Sequence, residues 1–466
     1  MNDPKALSAI DLTPRLEGSG NAGAAVDPLL AALGRVRPIE RVGKVVEAYG
    51  TLIRATGLRA AIGELCELRN PPEGGDPNFH LFAEVVGVSR QHALLTPLGA
   101  LDGVSPLTEV YATGRQASVR ASDALLGRIL DAHGEPIDGK GPLAVPGGPA
   151  LVDMPIYAAS PNPLDRNLID QPFATGVRAI DTVMTAGEGQ RVGIFAVAGG
   201  GKSTLLGMLA RGASADVNVI VLVGERGREV NEFIHDNLGP EGLARSVIVV
   251  ATSDRPALER SRAAWVGTAI AEYFRDRGQR VLLLLDSVTR FARALRDVGL
   301  AVGEPPARRG FPPSVFSALP RLFERAGNND KGSITAFYTV LMEGEDGDDP
   351  IVEEVRSILD GHIVLSRKLA AAYHYPAIDV LTSLSRTMPR VVDDAQLRAA
   401  GQLRKYLAKH QDIELLLQLG EYKKGTDPDA DIAIQKIDPM RKLLQQPSSD
   451  IADFGQSVAA LRKLFG

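Results

Sequence analysis

A glycine-rich turn separates an apolar run from a helix-forming run in the segment VGIFAVAGGGKSTLLGMLA (192–210). Glycines at such a turn let backbone N–H groups surround an anion, and the positive end of the helix dipole favours negative charge at the same place. A lysine that opens the helix can reach the terminal phosphates, and the next hydroxyl can bind Mg²⁺. The segment therefore predicts a triphosphate-binding loop formed by these residues: Gly199, Gly200, Gly201, Lys202, Ser203 and Thr204.

The loop departs from the usual phosphate-loop pattern at its first position, where Ala196 stands in place of glycine. An ordinary strand–turn–helix with a surface lysine is the alternative interpretation. The apolar run before the loop and the helical run after it favour phosphate binding, because the motif requires both.

Two further apolar runs end in carboxylates. The segment VLLLLDSVTR (281–290) places Asp286 at the carboxyl end of a predicted strand, where a carboxylate can bind Mg²⁺. The segment VLVGERGREV (221–230) places Glu225 just after another such strand, where it can position the attacking water of a hydrolysis. On spacing alone, Asp286 could instead cap the following helix, and Glu225 could be a surface residue paired with Arg226 or Arg228.

The pattern of apolar residues divides the chain of 466 residues into four parts. Residues 1–37 combine a Gly/Ala/Ser stretch with a short apolar patch, which indicates a flexible tail. Short β-type runs broken by Gly, Pro, Asn and Asp predict a small β-barrel over residues 38–114. Apolar strands separated by helical stretches predict an α/β domain with a parallel sheet over residues 115–392. Helix-spaced leucines then predict a small helical domain over residues 393–466.

Glycine and proline mark smaller features inside these parts. The Gly/Pro-rich passage from Leu126 to Pro163 is typical of an extended connection, because residues before proline favour extended backbone. In the helical part, Gly420, Gly425 and Pro439 are predicted to end helices.

Composition argues against several classes of protein. The formal net charge of −5 and the aromatic content of 5% provide neither the basic field nor the stacking surfaces of a nucleic-acid-binding protein. No apolar run approaches the ~20 residues that span a bilayer, and the N-terminus lacks the apolar core of a signal peptide. Cys66 is the only cysteine, which excludes a disulfide framework. We therefore expect a cytosolic protein that does not bind nucleic acid.

Taken together, these segments resemble the ATPases of type III protein secretion, the injectisome and flagellar export enzymes, which are similar to the β subunits of rotary ATP synthases. The resemblance covers most of the chain, in these segments: SPNPLDRNLIDQPFATGVRAID (160–181), FAVAGGGKSTLLGMLAR (195–211), GERGREVNEF (224–233), VVATSDRPALER (249–260), DSVTRFARALRDVGLAVGEPPARRGFPPSVFSALPRLFERAG (286–327), SITAFYTVLMEG (333–344) and ILDGHIVLSRKLA (358–370). It implies a multidomain fold with an N-terminal β-barrel, a central P-loop (RecA-like) ATPase domain and a C-terminal α-helical domain.

The resemblance also implies roles for single residues. Lys202 and Ser203 match the family's phosphate-binding lysine and magnesium-binding hydroxyl, and Asp286 matches its Walker B carboxylate. Glu225 matches the glutamate that activates water, and Arg226 matches the adjacent phosphate-proximal arginine. These assignments imply hydrolysis of ATP with Mg²⁺ as the cofactor.

Two residues nearer the C-terminus match further family positions. Tyr375, just before Pro376, falls where the family places an aromatic ring against adenine. Arg386 falls where an arginine finger reaches the nucleotide of the neighbouring subunit, although a single loop arginine is usually solvated. Arg308 and Arg309 fall in the segment that lines the centre of the ring, which makes them candidates for contact with a stalk or a substrate.

The resemblance implies a homo-hexameric ring at the cytoplasmic face of the bacterial inner membrane, to which it is peripheral. The implied partners are a stator protein that binds the N-terminal tail, a coiled-coil stalk and chaperone–effector complexes. The implied function is ATP hydrolysis that energises protein export. The AGGGKST loop and the DRPALER stretch favour the injectisome type over the flagellar type.

Two other functions stay open. A non-hydrolysing structural subunit of a rotary-type ring would bind nucleotide without turnover, but the presence of Lys202, Glu225 and Asp286 together counts against it. A hexameric RNA translocase would need basic and aromatic surfaces, which the composition disfavours.

Overall fold

The chain folds into three successive parts. The computed structural model describes residues 42–144, 148–197, 199–342 and 349–465, so the predicted tail over residues 1–37 lies outside the described residues. The three parts are a closed β-barrel, a domain built on a mostly parallel sheet, and a group of C-terminal helices. The predicted fold class is therefore confirmed.

The barrel is formed by six antiparallel strands: β1 (Val42–Tyr49), β2 (Leu52–Thr56), β3 (Glu64–Arg69), β4 (His80–Val88), β5 (His92–Pro97) and β6 (Glu109–Gln116). They close in the order β1-β2-β5-β4-β3-β6. Because successive side chains of a strand point to opposite faces, every second residue enters the barrel. Ile53, Leu68, Leu95 and Val110 fill its interior and are fully buried.

The next part contains the remaining strands of the described chain: β7 (Ser118–Ala121), β8 (Arg128–Leu130), β9 (Val152–Pro155), β10 (Pro172–Phe173), β11 (Ala186–Gly187), β12 (Arg191–Ala196), β13 (Val217–Val223), β14 (Ser246–Ala251), β15 (Arg280–Asp286), β16 (Gly327–Asn328), β17 (Ser333–Leu341), β18 (Gly361–Leu365) and β19 (Leu384–Ser385). Nine of them form one sheet in the order β19-β18-β12-β17-β15-β13-β14-β8, with β16 attached to β17. β16 and β19 are antiparallel to their neighbours, and the other pairs are parallel.

Continuous apolar runs form the central strands because both faces of the sheet are covered. In β13, Val219 and Val221 pack into one hydrophobic core, whereas Ile220 and Leu222 pack into a second core on the opposite face. A parallel strand in this position therefore has no polar face, which explains the uninterrupted valines and leucines of the sequence.

Among the described residues, ten α-helices connect or flank these strands: α1 (Arg178–Val183), α2 (Lys202–Gly212), α3 (Gly227–Glu232), α4 (Gly239–Ala244), α5 (Ala257–Arg275), α6 (Val288–Ala301), α7 (Pro313–Phe323), α8 (Pro350–Ile358), α9 (Arg367–Ala371) and α10 (Met388–Val391). A π-helical turn, Phe233–Leu238, joins α3 to α4. Helix α2 contributes to the second core, and α5 to the first.

Three C-terminal helices complete the fold: α11 (Asp394–Gln418), α12 (Pro428–Leu444) and α13 (Phe454–Phe465). Leu403 of α11, Met440 of α12 and Leu461 of α13 pack in the second core. This core also contains Leu205 and Leu206 of α2. The helical part therefore lies on the same face of the sheet as α2, the helix that follows the glycine-rich loop.

The barrel and the sheet domain meet at a buried ion pair. Arg262 of α5 lies with its Nη1 3.2 Å from Oε2 of Glu84 on β4, and the Tyr157 hydroxyl donates to the same oxygen at 3.1 Å. Arg262 and Glu84 are 3% and 5% exposed. Burial raises the pKa of the Glu84 carboxyl, and the Arg262 guanidinium partly offsets that rise.

Two sequence expectations were wrong in detail. The passage predicted as an extended connection contains β8, which pairs with β14 and forms the edge of the main sheet. Pro439 does not end a helix but lies inside α12. Met440, Leu443 and Leu444, just beyond the proline, are buried. Their packing stabilises the helix although proline cannot donate one of its backbone hydrogen bonds.

None of the helices that the structure describes is both long enough and apolar enough to cross a membrane.

Candidate active site

Three predicted site segments meet at one edge of the main sheet. The glycine-rich loop follows β12, Glu225 follows β13, and Asp286 ends β15. In the sheet, β13 lies beside β15, and β17 lies between β15 and β12. All four strands are parallel, so their carboxyl ends lie on the same edge. Residues that are distant in the chain are thereby brought within contact of one another.

The glycine-rich loop leaves room for an anion. Gly199 and Gly201 have φ angles of +83° and +82°, a backbone conformation that side chains disfavour. A Cβ atom at Gly199 would meet nothing within 4 Å, so the loop faces open space there. Helix α2 begins at Lys202 without a side-chain cap, so no side chain occupies the N–H groups of its first turn.

Lys202 lies between two carboxylates. Its ammonium pairs with Asp286 and, at 3.2 Å, with Oε1 of Glu225. Burial alone would lower the pKa of Lys202, but the two carboxylates outweigh it and raise the pKa above its ordinary value. The lysine is therefore held as a cation at the end of the loop.

Glu225 is buried, with 6% of its surface exposed. Besides Lys202 it pairs with Arg290 of α6, whose Nη2 lies 3.1 Å from Oε2. Burial raises the pKa of the carboxyl, and the charges of Lys202 and Arg290 oppose that rise. The surface alternative does not apply, because Arg226 and Arg228 pair instead with residues of their own helix.

Asp286 is 4% exposed, and its Oδ1 accepts a 2.7 Å hydrogen bond from the Thr339 hydroxyl of β17. It does not cap the following helix, since Ser287 does so by accepting from the Arg290 N–H. The peptide bond between Asp286 and Ser287 is cis. The ion pair with Lys202 shows that the carboxylate faces the glycine-rich loop.

Thr204 and Tyr375 border a common cleft. Ser203 and Thr204 are exposed on the first turn of α2. The Tyr375 ring would lie 3.6 Å from a Cβ atom at Gly201, and it is 40% exposed. Gly199, Gly201, Thr204 and Tyr375 all line one cleft of about 1370 Å³. The cleft therefore offers polar groups that can contact a phosphate next to an aromatic ring that can stack on a base.

The two other predicted arginines lie apart from this group. Arg226 is exposed at the start of α3 and pairs with Glu229 at 3.4 Å. Arg386 is exposed and makes no ion pair within the described residues of its own chain. It follows β19, which pairs with β18 at Gly361, whereas the glycine-rich loop follows the β12 end that pairs with Leu365. The structure therefore does not bring Arg386 to the site of its own subunit.

Three family models match the chain: the β-barrel domain of the ATP synthase alpha/beta family over residues 45–114, the nucleotide-binding domain of that family over 176–385, and the T3SS EscN ATPase C-terminal domain over 392–463. A type 3 secretion system ATPase of Xanthomonas euvesicatoria is 57% identical over 421 residues, which cover 90% of this chain and 93% of that protein. The chain belongs to the family of type III secretion ATPases.

Other members of the family are similarly related to this type III secretion ATPase. A type 3 secretion system ATPase of Sinorhizobium fredii is 49% identical and covers 97% of this chain and 99% of its own length. A flagellum-specific ATP synthase of Bacillus subtilis is 47% identical, with 92% and 96% covered. The assembled ATPase EscN of enteropathogenic E. coli superposes with a TM-score of 0.84 at 49% identity, over 91% of this chain and 100% of that chain. The predicted family is therefore confirmed.

Sequence reasoning missed two residues of this type III secretion ATPase site, Arg290 and Thr339. Arg290 binds Glu225 and also donates to the carbonyl oxygen of Gly224, and Thr339 binds Asp286. Thr339 carries a weak signal, because it is a polar residue within the apolar strand SITAFYTVL. Arg290 stands four residues after Asp286 in a helix, where its direction toward β13 depends on the tertiary fold.

The arrangement fits a nucleotide with Mg²⁺. The open loop and the uncapped end of α2 suit phosphate oxygens, and Lys202 supplies a matching cation. Oxygen donors, which Mg²⁺ requires, are present at Ser203 and Asp286. The residues of this type III secretion ATPase are thus chemically suited to phosphate and to a hard cation.

Proposed function

We propose that this protein is a Mg²⁺-dependent ATPase that energises type III protein secretion, and that it belongs to an injectisome. The observation that carries the proposal is the contact of Lys202 with two buried carboxylates beside an open glycine-rich loop. A lysine, a metal-binding carboxylate and a second carboxylate near the γ-phosphate are the parts that phosphoryl transfer requires.

Each residue has a distinct task in this proposal. Gly199, Gly200, Gly201 and Thr204 hold the phosphates through the loop and the first turn of α2. Tyr375 stacks on adenine. When bound, Mg²⁺ neutralises charge on the terminal phosphate oxygens, with Ser203 and Asp286 as its protein ligands.

Glu225 orients the attacking water and accepts its proton. Its buried position keeps competing water away, and its raised pKa makes it a better proton acceptor than an exposed glutamate. Arg290 fixes the direction of the carboxylate by binding Oε2, which leaves Oε1 directed toward Lys202 and the phosphate loop. Arg226, one residue further along the chain, is proposed to lie near the phosphate once nucleotide binds.

The proposed assembly is a homo-hexamer in which Arg386 completes the site of the neighbouring subunit. Its exposed position away from its own loop supports a role in trans. One solved relative is EscN in complex with its central stalk EscO, at a TM-score of 0.83. We propose a corresponding coiled-coil stalk for this protein, together with a stator protein, chaperone–effector complexes and a peripheral position at the cytoplasmic face of the inner membrane.

Release of phosphate from MgATP, measured at several protein concentrations, tests the proposal. We expect turnover whose rate per subunit rises with protein concentration, because each site needs a neighbour. Binding of MgATP without phosphate release at any concentration would favour a structural ring subunit instead.

The injectisome assignment is favoured over flagellar export by similarity, since 57% identity to a type 3 secretion system ATPase exceeds 47% to a flagellum-specific relative. Co-purification from the native host distinguishes them. Recovery of flagellar export components, with no injectisome components, would contradict the assignment.

A further inference from the structure

Gln446 lies between α12 and α13 and is 2% exposed. Its side-chain oxygen accepts a 2.8 Å hydrogen bond from the Arg178 N–H. Its side-chain nitrogen donates to the carbonyl oxygens of Gly176 at 2.8 Å and Asp450 at 2.9 Å. A buried amide whose donors and acceptor are all satisfied fixes the relative position of the segments that it joins.

The backbone of Gln446 reaches the nucleotide cleft directly. Its N–H donates to the Tyr375 carbonyl oxygen at 2.9 Å. Tyr375 carries the aromatic ring beside the phosphate loop. Gln446, which lies in the segment that follows α12, therefore joins the loop of Tyr375 to the start of α1. We call the segment over residues 445–452 the C-terminal linker.

The C-terminal linker is also bound to the phosphate helix. Arg211, in the last turn of α2, donates to the Ser448 carbonyl oxygen at 2.6 Å, and Arg178 donates to the Gln445 carbonyl oxygen at 2.6 Å. The Ala452 N–H donates to the Gly176 carbonyl oxygen at 3.0 Å. The linker is therefore held to the far end of the helix that begins at Lys202.

The linker forms part of the cleft wall. Gln445, Gln446, Pro447 and Ser448 line the same cleft as Gly201 and Tyr375. The volume of about 1370 Å³ exceeds the ~300–1,000 Å³ that is usual for small-molecule sites, so the wall has room to close on a ligand. Helix α12 ends at Leu444, directly before this wall, so a shift of the linker moves the base of that helix.

We propose that Gln446 is a positioning residue for nucleotide binding, which holds Tyr375 against the C-terminal linker and so couples occupancy of the cleft to the seating of the C-terminal helices. This inference rests on the proposed function and extends it. Among the described residues, no hydrogen bond joins Gln446 to Lys202, Glu225 or Asp286. The effect of Gln446 is therefore on affinity rather than on the chemical step.

The substitution Gln446→Glu tests this role. The variant keeps an acceptor for Arg178 but loses two donors and turns an oxygen toward the carbonyls of Gly176 and Asp450. We expect the KM for ATP and the Kd for MgADP to rise about tenfold, the scale of two lost buried hydrogen bonds, with kcat changed by less than about twofold. In the wild type, MgADP should slow amide exchange in the C-terminal linker, and the variant should lose this protection.

The matched control is Gln456→Glu, the same change at an exposed position of α13 outside the cleft wall. Its KM, Kd and exchange should equal those of the wild type. Unchanged values in Gln446→Glu, or a loss of kcat at constant KM, would overturn the proposal. If that variant fails to fold, Gln446→Met, which is uncharged and of similar length, is measured in the same way and must give the same shift.

The wild type separates this inference from the proposed function. Binding and turnover of MgATP with no nucleotide-dependent protection of the C-terminal linker would overturn the role of Gln446 alone. Binding of MgADP with no release of phosphate from MgATP at any protein concentration would contradict the proposed function, and the Kd and exchange measurements would still decide the role of Gln446.

Discussion

At the scale of single residues, the site holds opposite charges in a small, mostly buried volume. Glu225 lies between Lys202 and Arg290, and Asp286 lies on the other side of Lys202. Burial disfavours the charged form of each group by itself, whereas contact with an opposite charge favours the charged form again. Loss of one member therefore leaves a buried partner charge, so substitutions here must be chosen to keep shape.

The variant Glu225→Gln keeps the shape and removes the proton acceptor. We expect MgATP to bind with an affinity near that of the wild type, because Lys202 and the glycine-rich loop remain, while turnover falls by about 10²–10⁴-fold. Equilibrium binding and phosphate release under the same conditions measure the two effects. Glu232→Gln, at an exposed residue paired with Arg228, is the control and should retain full activity. Turnover of Glu225→Gln at the wild-type rate would remove Glu225 as the base.

Prediction at this scale depended on local signals. The loop around Lys202 was found because glycine, lysine and hydroxyl stand together in the chain. Glu225 and Asp286 each end an apolar strand, which indicates a shared sheet edge. Arg290 carries no such signal, since its contact with Glu225 depends on how α6 packs against β13.

At the scale of elements, the barrel meets the sheet domain at a buried polar cluster that includes an ion pair between β4 and α5. The carboxylate of Glu84 is buried against the guanidinium of Arg262 and the hydroxyl of Tyr157. Such a pair contributes little net stability when intact, but each partner is costly without the other. The contact therefore specifies how the two parts dock.

The variant Arg262→Met leaves the Glu84 carboxylate buried without its cation, and we expect the free energy of unfolding to fall by about 3–5 kcal/mol at pH 8. Burial raises the pKa of Glu84 in the folded state, so folding favours its protonated form. The stabilisation that Glu84 contributes by being protonated is present below the ordinary glutamate pKa. It is lost as the pH rises through the pKa of Glu84 in the folded state. The loss in the variant should therefore be smaller at pH 5 than at pH 8.

The double variant Glu84→Gln with Arg262→Met removes both charges and should recover much of the stability. Denaturant unfolding at both pH values measures the cycle. Arg260→Met, on the same helix as Arg262, breaks a partly exposed pair with Asp297 of α6 and should cost only about 0–1 kcal/mol. Equal losses in the single and double variants would contradict the proposed cost of the unpaired carboxylate.

Strands and helices differed in how far the sequence predicted them. The central strands were predicted correctly because burial on both faces requires continuous apolar runs. The short edge strand β8 was not, since its three residues pair only with β14 and lie in a Gly/Pro-rich passage. The prediction of a helix end at Pro439 was based on local helix propensity alone. The tertiary packing that stabilises α12 beyond this residue cannot be inferred from propensity.

At the scale of the whole molecule, one subunit does not bring all of its proposed catalytic groups together at one site. Between Gly361 and Leu365, β18 spans about 13 Å at ~3.3 Å per residue, and Arg386 and the glycine-rich loop lie beyond its opposite ends. Each subunit therefore presents its glycine-rich loop and its Arg386 at separate places.

The variant Arg386→Ala should bind MgATP as the wild type does and lose the rise of turnover with protein concentration. An arginine supplied in trans contributes about 10³–10⁵ in rate where its effect is known, so we expect a loss of at least 10²-fold at high protein concentration. Phosphate release across a dilution series measures the effect. Arg390→Ala, an exposed neighbour in α10, is the control. A parallel loss of nucleotide binding would contradict the assignment.

The separation of Arg386 from its own loop has a consequence for how an assembly ends. In an open row of subunits, the site at one end has no arginine donor, and the arginine at the other end has no acceptor site. Closure of the row into a ring removes both deficits in one step, because head-to-tail contacts then meet themselves. Closure therefore adds one complete site to those already present in the row, so that turnover per subunit reports the completeness of the ring as well as the number of contacts in it.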